Sequence, residues 1–225
     1  MVKPIKIFFA LFYSCTLSAT DIDIISIDLP NNFLATPNNL ADVEQINTNN
    51  SLINLQQIGT GNESQISQQQ GNNSSIQSIQ NGSNNELRVE QSGSNHLVTS
   101  SQLAVSSDID ITQNGVSHAV NVTQNQISND VKVLQNQVSN NAQVFQNGVN
   151  NTISLVQDGI DINAQIFQQG NDNSIDLIQT SDDAQAVITQ IGNDNVIAFE
   201  QNPLAQQVLT IIQIGNQQTL RITTF

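Results

Sequence analysis

From residue 51 onward, apolar and polar residues alternate in short runs. Val120-x-Val122-x-Gln124, Ile153-x-Leu155-x-Gln157 and Ile175-x-Leu177-x-Gln179 put two apolar side chains and a Gln on one side of an extended chain. That period of two defines a half-buried β-strand, whereas a helix would need spacings of three and four. The pattern recurs at a fixed interval. Gln stands at 69, 80, 91, 102, 113, 124, 135, 146, 157, 168, 179, 190 and 201, thirteen positions spaced by eleven, and Gln57 and Gln213 extend the series with a spacing of twelve. Of these fifteen units, fourteen are apolar four residues before the Gln. Twelve are apolar two residues before it, and the other three have Ser there.

Glycine falls in one phase of the same period. Gly59, Gly71, Gly82, Gly93, Gly115, Gly148, Gly159, Gly170, Gly192 and Gly215 each follow a recurring Gln by two residues, which marks a turn that needs positive φ or lacks room for a side chain. Four residues after the Gln, from Asn73 to Asp194, every unit has Asn, Ser or Asp, side chains that satisfy turn backbone locally. Each unit is thus a strand of about five residues plus a turn. It is too small to bury its own apolar face, so units must stack.

Two units close one flattened coil of 22 residues, which predicts an all-β fold, a β-solenoid with two strands per coil. About seven coils at the ~4.8 Å spacing of paired strands give an axis of roughly 35 Å. Stacking aligns identical slots, so the recurring Gln form two inward ladders bonded amide to amide, which spares a buried amide the cost of having no partner. Open solenoid ends expose unpaired backbone groups and recruit further copies unless capped. Self-assembly through those ends is the expectation, with the Gln series as its ladder.

Composition narrows the function classes. Of 225 residues, 32 are Asn and 31 are Gln, Trp is absent, and the formal net charge is −14. Such a charge repels phosphate backbones and anionic lipid headgroups, so neither nucleic acid nor a membrane surface is an expected partner. Residues 1–19 read as a secretory signal peptide: Lys3 and Lys6 precede the apolar run Ile7–Tyr13, and small residues end at Ala19. The apolar run is too short to span a bilayer. Its removal takes away the only cysteine, Cys15, and leaves three basic against nineteen acidic residues, a net of −16. Residues 20–50, with Pro30 and Pro37 and weak repeat phase, are expected to be a largely irregular leader with export or anchoring duties, and the alternation of Asp and Ile from Asp21 to Leu29 also suits an added edge strand. Gln45 is a candidate start of a degenerate first unit, and the repeats proper occupy 51–225.

The units resemble the curlin repeat, Ser-x5-Gln-x-Gly-x2-Asn-x-Ala-x3-Gln, of curli fibre subunits in bacterial biofilms. Asn140, Ala142, Val144, Gln146, Gly148, Asn151, Ile153, Leu155, Gln157 and Gly159 read as one repeat, with Ile153 where the family often has Ala. The resemblance covers roughly residues 51 to 220. It implies export through an outer-membrane pore with accessory factors of a Gram-negative bacterium, folding at the cell surface, and polymerisation into functional amyloid that binds surfaces and matrix. Its implied partners are other copies of the chain and other curli-type subunits. The family has a major subunit and a minor, surface-tethered nucleator. This chain lacks the major subunit's Gly-rich N-terminal stretch and most of its Tyr, while Leu220-Arg221-Ile222-Thr223 looks like the end of the minor one. The alternative is a secreted solenoid that binds surfaces or carbohydrate without polymerising.

Chemistry-bearing groups are few. No metal motif, phosphate loop or nucleophile elbow is present, and uniform eleven-residue spacing leaves no room for the long loops that build a cleft. No enzyme activity, cofactor or resident metal is expected. His96 and His118 lie 22 residues apart in the slot five after a Gln. They should stack on neighbouring rungs, where they either replace Asn in a polar ladder or hold a transition metal. Asp161, Asp172, Asp183 and Asp194 fill four successive turns. They read as solvated charges that slow premature assembly, with calcium binding as the other reading. Leu134, Phe145, Val156, Phe167 and Ile178 each directly precede a recurring Gln. They should form outer apolar stripes for lateral association or adhesion.

Overall fold

The computed structural model describes residues 15–19, 24–28, 39–46, 48–202 and 208–224. Among them are nineteen strands. The first five are β1 (Cys15–Ala19), β2 (Ile24–Asp28), β3 (Leu40–Ile46), β4 (Leu52–Thr60) and β5 (Glu63–Gln69). The middle of the stack comprises β6 (Ser75–Ser83), β7 (Glu86–Ser94), β8 (Leu97–Val105), β9 (Asp108–Val116), β10 (Ala119–Ile127), β11 (Asp130–Val138) and β12 (Asn141–Val149). The last seven are β13 (Thr152–Ile160), β14 (Asn163–Asn171), β15 (Ser174–Gln179), β16 (Gln185–Asn193), β17 (Val196–Gln201), β18 (Val208–Ile214) and β19 (Thr219–Thr224).

The odd strands form one ten-stranded sheet and the even strands a second of nine, so the chain changes sheet at every turn. All pairings are parallel, and in the middle of the stack they join residues 22 apart: Val120 faces Ala142 and Gln124 faces Gln146, as Val133 faces Leu155 in the other sheet. This is the expected β-solenoid with two strands per 22-residue coil. It has about eight stacked coils rather than seven, because the stack begins before residue 51. Ala41, Val43 and Gln45 of β3 are buried in the same three inward slots that later units use. Within the expected leader, then, β2 and β3 are rungs, and positions 29–38 lie outside the described residues. Of the expected signal peptide, 1–14 also lie outside them, and the backbone of β1 pairs with β3.

The core is the narrow space between the sheets. Ile153 and Leu155 of β13 and Ile175 and Leu177 of β15 have no solvent exposure, and the same holds for their counterparts along most of the stack. The strands are mostly nine residues long, not five. They run through the Gln and past the glycine, because each rung finds a hydrogen-bonding partner above and below well beyond its inward apolar pair.

The sharp reversal lies at the Asn, Ser or Asp four residues after the Gln. From Asn73 to Asp194 these take φ between 54° and 63°, the left-handed region that short polar side chains tolerate best. The turns are themselves bonded rung to rung, as in Asp172 N to Val149 O at 2.9 Å. Eight of the ten recurring glycines adopt φ between 112° and 139°, while Gly71 and Gly159 do not. At Gly170 the reason is plain: a Cβ would come within 1.8 Å of the Gly192 carbonyl oxygen one rung on. Gln126 and Gln137 occupy the same slot by adopting φ of 81° and 75°.

Candidate functional site

Two glutamine ladders run the length of the solenoid, one in each sheet. In the even sheet Gln57, Gln80, Gln102, Gln124, Gln146, Gln168, Gln190 and Gln213 follow one another, each Nε2 donating to the Oε1 of the next rung at 2.8 to 3.3 Å. In the odd sheet the order is Gln45, Gln68, Gln91, Gln113, Gln135, Gln157, Gln179 and Gln201. All are 5% exposed or less. Every bond points the same way, donor toward the later rung.

The amide nitrogen of most ladder glutamines, from Gln57 to Gln190, also closes the coil internally. Gln135 Nε2, besides reaching Gln157, donates to the Ala119 carbonyl of the opposite sheet at 3.2 Å, and Gln157 does the same to Asn141 at 3.1 Å. A ladder glutamine therefore ties rung to rung and sheet to sheet in one group. Low local dielectric strengthens such bonds and makes an unpaired member costly.

One expected ladder member is corrected. Gln69 is exposed and reaches only Ser67 Oγ at 3.4 Å, while Gln68 is buried and bonds Gln91. Three consecutive glutamines, 68 to 70, hide the phase. Counting back eleven from Gln80 lands on Gln69, but the extra residue of this unit lies in the turn, where Gln70 and Asn73 both take positive φ. With Gln68 in the slot, Ile66 is the buried apolar residue two before it.

A second pair of ladders lines the edges, in the slot five after each Gln. Asn62, Asn85, Asn129, Asn151, Asn173 and Asn195, with Ser107, are buried along one edge. Each Asn there does two jobs. Asn151 Oδ1 accepts the backbone N–H of Asn173 at 3.1 Å, and its Nδ2 donates to Gly170 O at 2.7 Å. The opposite edge holds Ser74, His96, His118, Asn140, Ile162 and Ala184.

His96 and His118 stack there with ring centroids 5.2 Å apart and planes 3° from parallel. They reproduce the asparagine geometry. Nδ1 of His96 accepts the His118 N–H at 3.4 Å, and Nδ1 of His118 accepts that of Asn140 at 3.2 Å. The Nε2 atoms face the Ser92 and Asn114 carbonyls at 3.2 and 3.0 Å, which assigns the proton to Nε2 in a neutral ring. Burial lowers the His96 pKa to about 4, against a smaller raising effect of the Ser92 carbonyl and a small further lowering by His118. Burial lowers that of His118 as well. Among the described residues no group of three or more His, Cys, Asp or Glu could hold a metal ion.

The outer stripes lie where the periodicity put them. Phe145 and Phe167 stack on the even sheet at 5.1 Å with planes 4° apart, beside a shallow groove with Asn121, Gln143 and Gln165. Leu134, Val156 and Ile178 are in register on the odd sheet. All five are half-buried rather than fully exposed. Sequence reasoning missed two further apolar columns beside the turns, Val105 with Ile127 and Val116 with Val138 and Ile160, which are 39% to 47% exposed. Their signal is the residue three after each Gln, next to the glycine phase.

Acidic residues crowd one column of the odd sheet, where Glu63, Glu86, Asp108 and Asp130 stand on successive rungs. Partial burial, then Glu86 and Asp130, raise the Asp108 pKa. Partial burial, then Asp110, raise that of Asp130 against the pull of Lys132. Arg88 pairs with Glu90 beside them.

Among known families, residues 82–115 match the curlin associated repeat. The span runs from Gly82 through Gly93 to Gly115 and takes in all of β7 and β8. The curlin repeat expected from the sequence is thus present. No curated protein matches the chain.

Proposed function

We propose that this chain is a structural subunit of an extracellular, curli-like amyloid fibre that assembles by end-to-end stacking of its coils and serves adhesion and biofilm matrix. The single observation that carries the reading is the first glutamine of the odd ladder, where β1 sets Ala19 against Gln45 and removal of residues 1–19 would leave β3 as the end rung of its sheet. Gln45 Oε1 is buried without a hydrogen-bond partner, whereas every later glutamine of its ladder accepts from the rung before. A buried acceptor left open costs about 1–3 kcal/mol, and the Nε2 of a stacked glutamine from another copy would fill it. Unpaired strand edges on the outermost rungs act in the same direction.

The curlin associated repeat at 82–115 is a structural rather than an enzymatic repeat, which fits the expectation of a non-enzymatic chain. In this reading residues 1–19 direct export and are cleaved near Ala19. The rest passes an outer-membrane pore, folds at the cell surface, and joins other curli-type subunits. No helix among the described residues is long and apolar enough to cross a membrane.

The test is thioflavin fluorescence of the chain without residues 1–19, diluted from denaturant with and without preformed seeds, followed by fibre diffraction. A lag abolished by seeds, with reflections near ~4.7 and ~10 Å, is the expected result, and growth without a lag would assign the nucleator role. A β-rich monomer that stays dye-negative for days would overturn the fibre reading in favour of a non-polymerising adhesin.

A further inference from the structure

From β3 to β19 the two outer faces of the solenoid differ sharply in charge. Strands β4, β6, β8, β10, β12, β14, β16 and β18 contain no Asp, Glu, Lys or Arg. Strands β3 to β19 of the odd sheet carry eleven acids and three bases, a net of −8, with Arg88, Lys132 and Arg221 as the bases. Exposed large apolar side chains divide the opposite way. Leu52, Ile79, Leu97, Leu103, Val208, Ile212 and Ile214 lie on even strands, Val105 and Ile127 with Val116, Val138 and Ile160 form the rims beside the turns, and the outer apolar stripe of the odd strands, Leu134, Val156 and Ile178, is half-buried. The rest of the even face is amide and hydroxyl: Asn121, Thr123, Gln143, Gln165 and Thr189 surround the Phe145–Phe167 stack.

We propose that the even face is a pairing surface on which two copies of this chain lie flank to flank, each with its charged odd face turned to water. Charge selects both the face and the occupant. Two odd faces brought together would oppose like charges and strip water from carboxylates with too few cations to pair them. The Asp108 and Asp130 carboxyls are already held above their usual range by partial burial and acidic neighbours, so further desolvation there is disfavoured. From β4 to β18 the even face carries no charge to desolvate and complements itself, as a two-fold interface must; Asp28 of β2 is the one charged residue among the described even strands, at the end of the stack. A charged macromolecule finds no counter-ion on it.

Size also suffices. Nine-residue strands are ~30 Å long and eight rungs stack to ~38 Å, so the face offers about 1,100 Å² per copy against the ~800 Å² per partner of a standard stable interface. Uncharged side chains that project at the rung spacing can interdigitate as in a dry zipper between sheets. The inference goes beyond fibre formation, since it needs no stacking of ends. Where ends do stack, it joins two filaments side by side.

Disulfide trapping tests it, in a Cys15→Ser background of the full chain. Thr99→Cys, Thr123→Cys and Thr189→Cys probe the even face, and Thr112→Cys, Thr152→Cys and Thr223→Cys the odd one. All six threonines lie on the outer slots of their strands. End-to-end stacking repeats a given residue only every ~40 Å, beyond the ~7 Å Cα reach of a disulfide, so a covalent dimer reports flank contact whether or not fibres form. Under mild oxidation, mixed even-face variants are expected to yield several-fold more disulfide-linked dimer than odd-face variants. In sedimentation, Thr123→Glu with Thr189→Glu should shift dimer to monomer while Thr112→Glu with Thr152→Glu should not. Cross-linking that is equal on both faces, stronger on the odd face, or absent from both overturns the proposal.

Discussion

Along one edge of the solenoid the buried corner residue is Asn on nearly every rung; along the other it changes from Ser74 through His96, His118 and Asn140 to Ile162 and Ala184. Both edges use the same left-handed turn, with Asn150 at φ 55° on one and Asp161 at 58° on the other. The difference shows what the corner requires. Each rung leaves a backbone N–H that must find an acceptor, and Asn Oδ1 of the previous rung supplies it. A neutral imidazole does the same through Nδ1. Ile162 has no acceptor, and the next turn changes to compensate: the Ala184 N–H turns to Ser181 O within its own turn, at 3.3 Å. The polar residue is therefore replaceable only where the following turn can satisfy its own backbone.

Breaking the uniform edge should have the largest effect. Asn151→Ala leaves the Asn173 N–H and the Gly170 carbonyl without partners, and a loss of about 2–4 kcal/mol is expected from urea unfolding. Acid should reach the mixed edge next. Both histidines are neutral in the fold and their pKa values are lowered there, so the unfolded chain takes up protons first as pH falls. Stability is fully present above the unfolded value near 6.5 and declines toward about 4 for His96. Roughly 1–2 kcal/mol should be gone by pH 5, read as a falling melting temperature across a pH series.

Ser74→Ala on the mixed edge removes a single acceptor, that of the His96 N–H at 3.3 Å. About 1 kcal/mol is expected, well below the asparagine value. The smallest effect belongs to His96→Asn combined with His118→Asn, which extends the asparagine run at Asn140 of the mixed edge back by two rungs. At pH 7.5 the change in unfolding free energy should stay under ~1 kcal/mol, while the acid sensitivity disappears. A double variant as acid-labile as the parent would remove the histidines from the account.

Much of this was legible in the sequence, and the failures have physical causes. The eleven-residue period yields the coil, the inward apolar pair such as Ile153 and Leu155, and the stacking of His96 on His118, because each depends on one side chain repeating in one slot. Strand length was not legible. Inward burial marks only the middle of a strand, whereas the backbone ladder of β12 runs on to Val149. Gln69 was misplaced for Gln68 because a run of identical residues carries no phase. The rung at Leu40–Ile46 was obscured by the twelve-residue step from Gln45 to Gln57, an extra residue that the turn absorbs. Of the candidate site, the ladders were visible as recurring Gln and the corner acceptors were not, since no spacing reveals which backbone N–H an amide will meet.

The 22-residue register has one more consequence, for the order in which the molecule comes into being. Nearly every strand pairing spans the same short separation along the chain, so contact order is low for an all-β protein, and closing a new coil costs the same loop entropy whether it is the second or the eighth. Folding then resembles one-dimensional growth: a slow first coil, followed by additions that each need only the rung before them. A chain that emerges from confinement end first could lay down its coils in the order of their arrival.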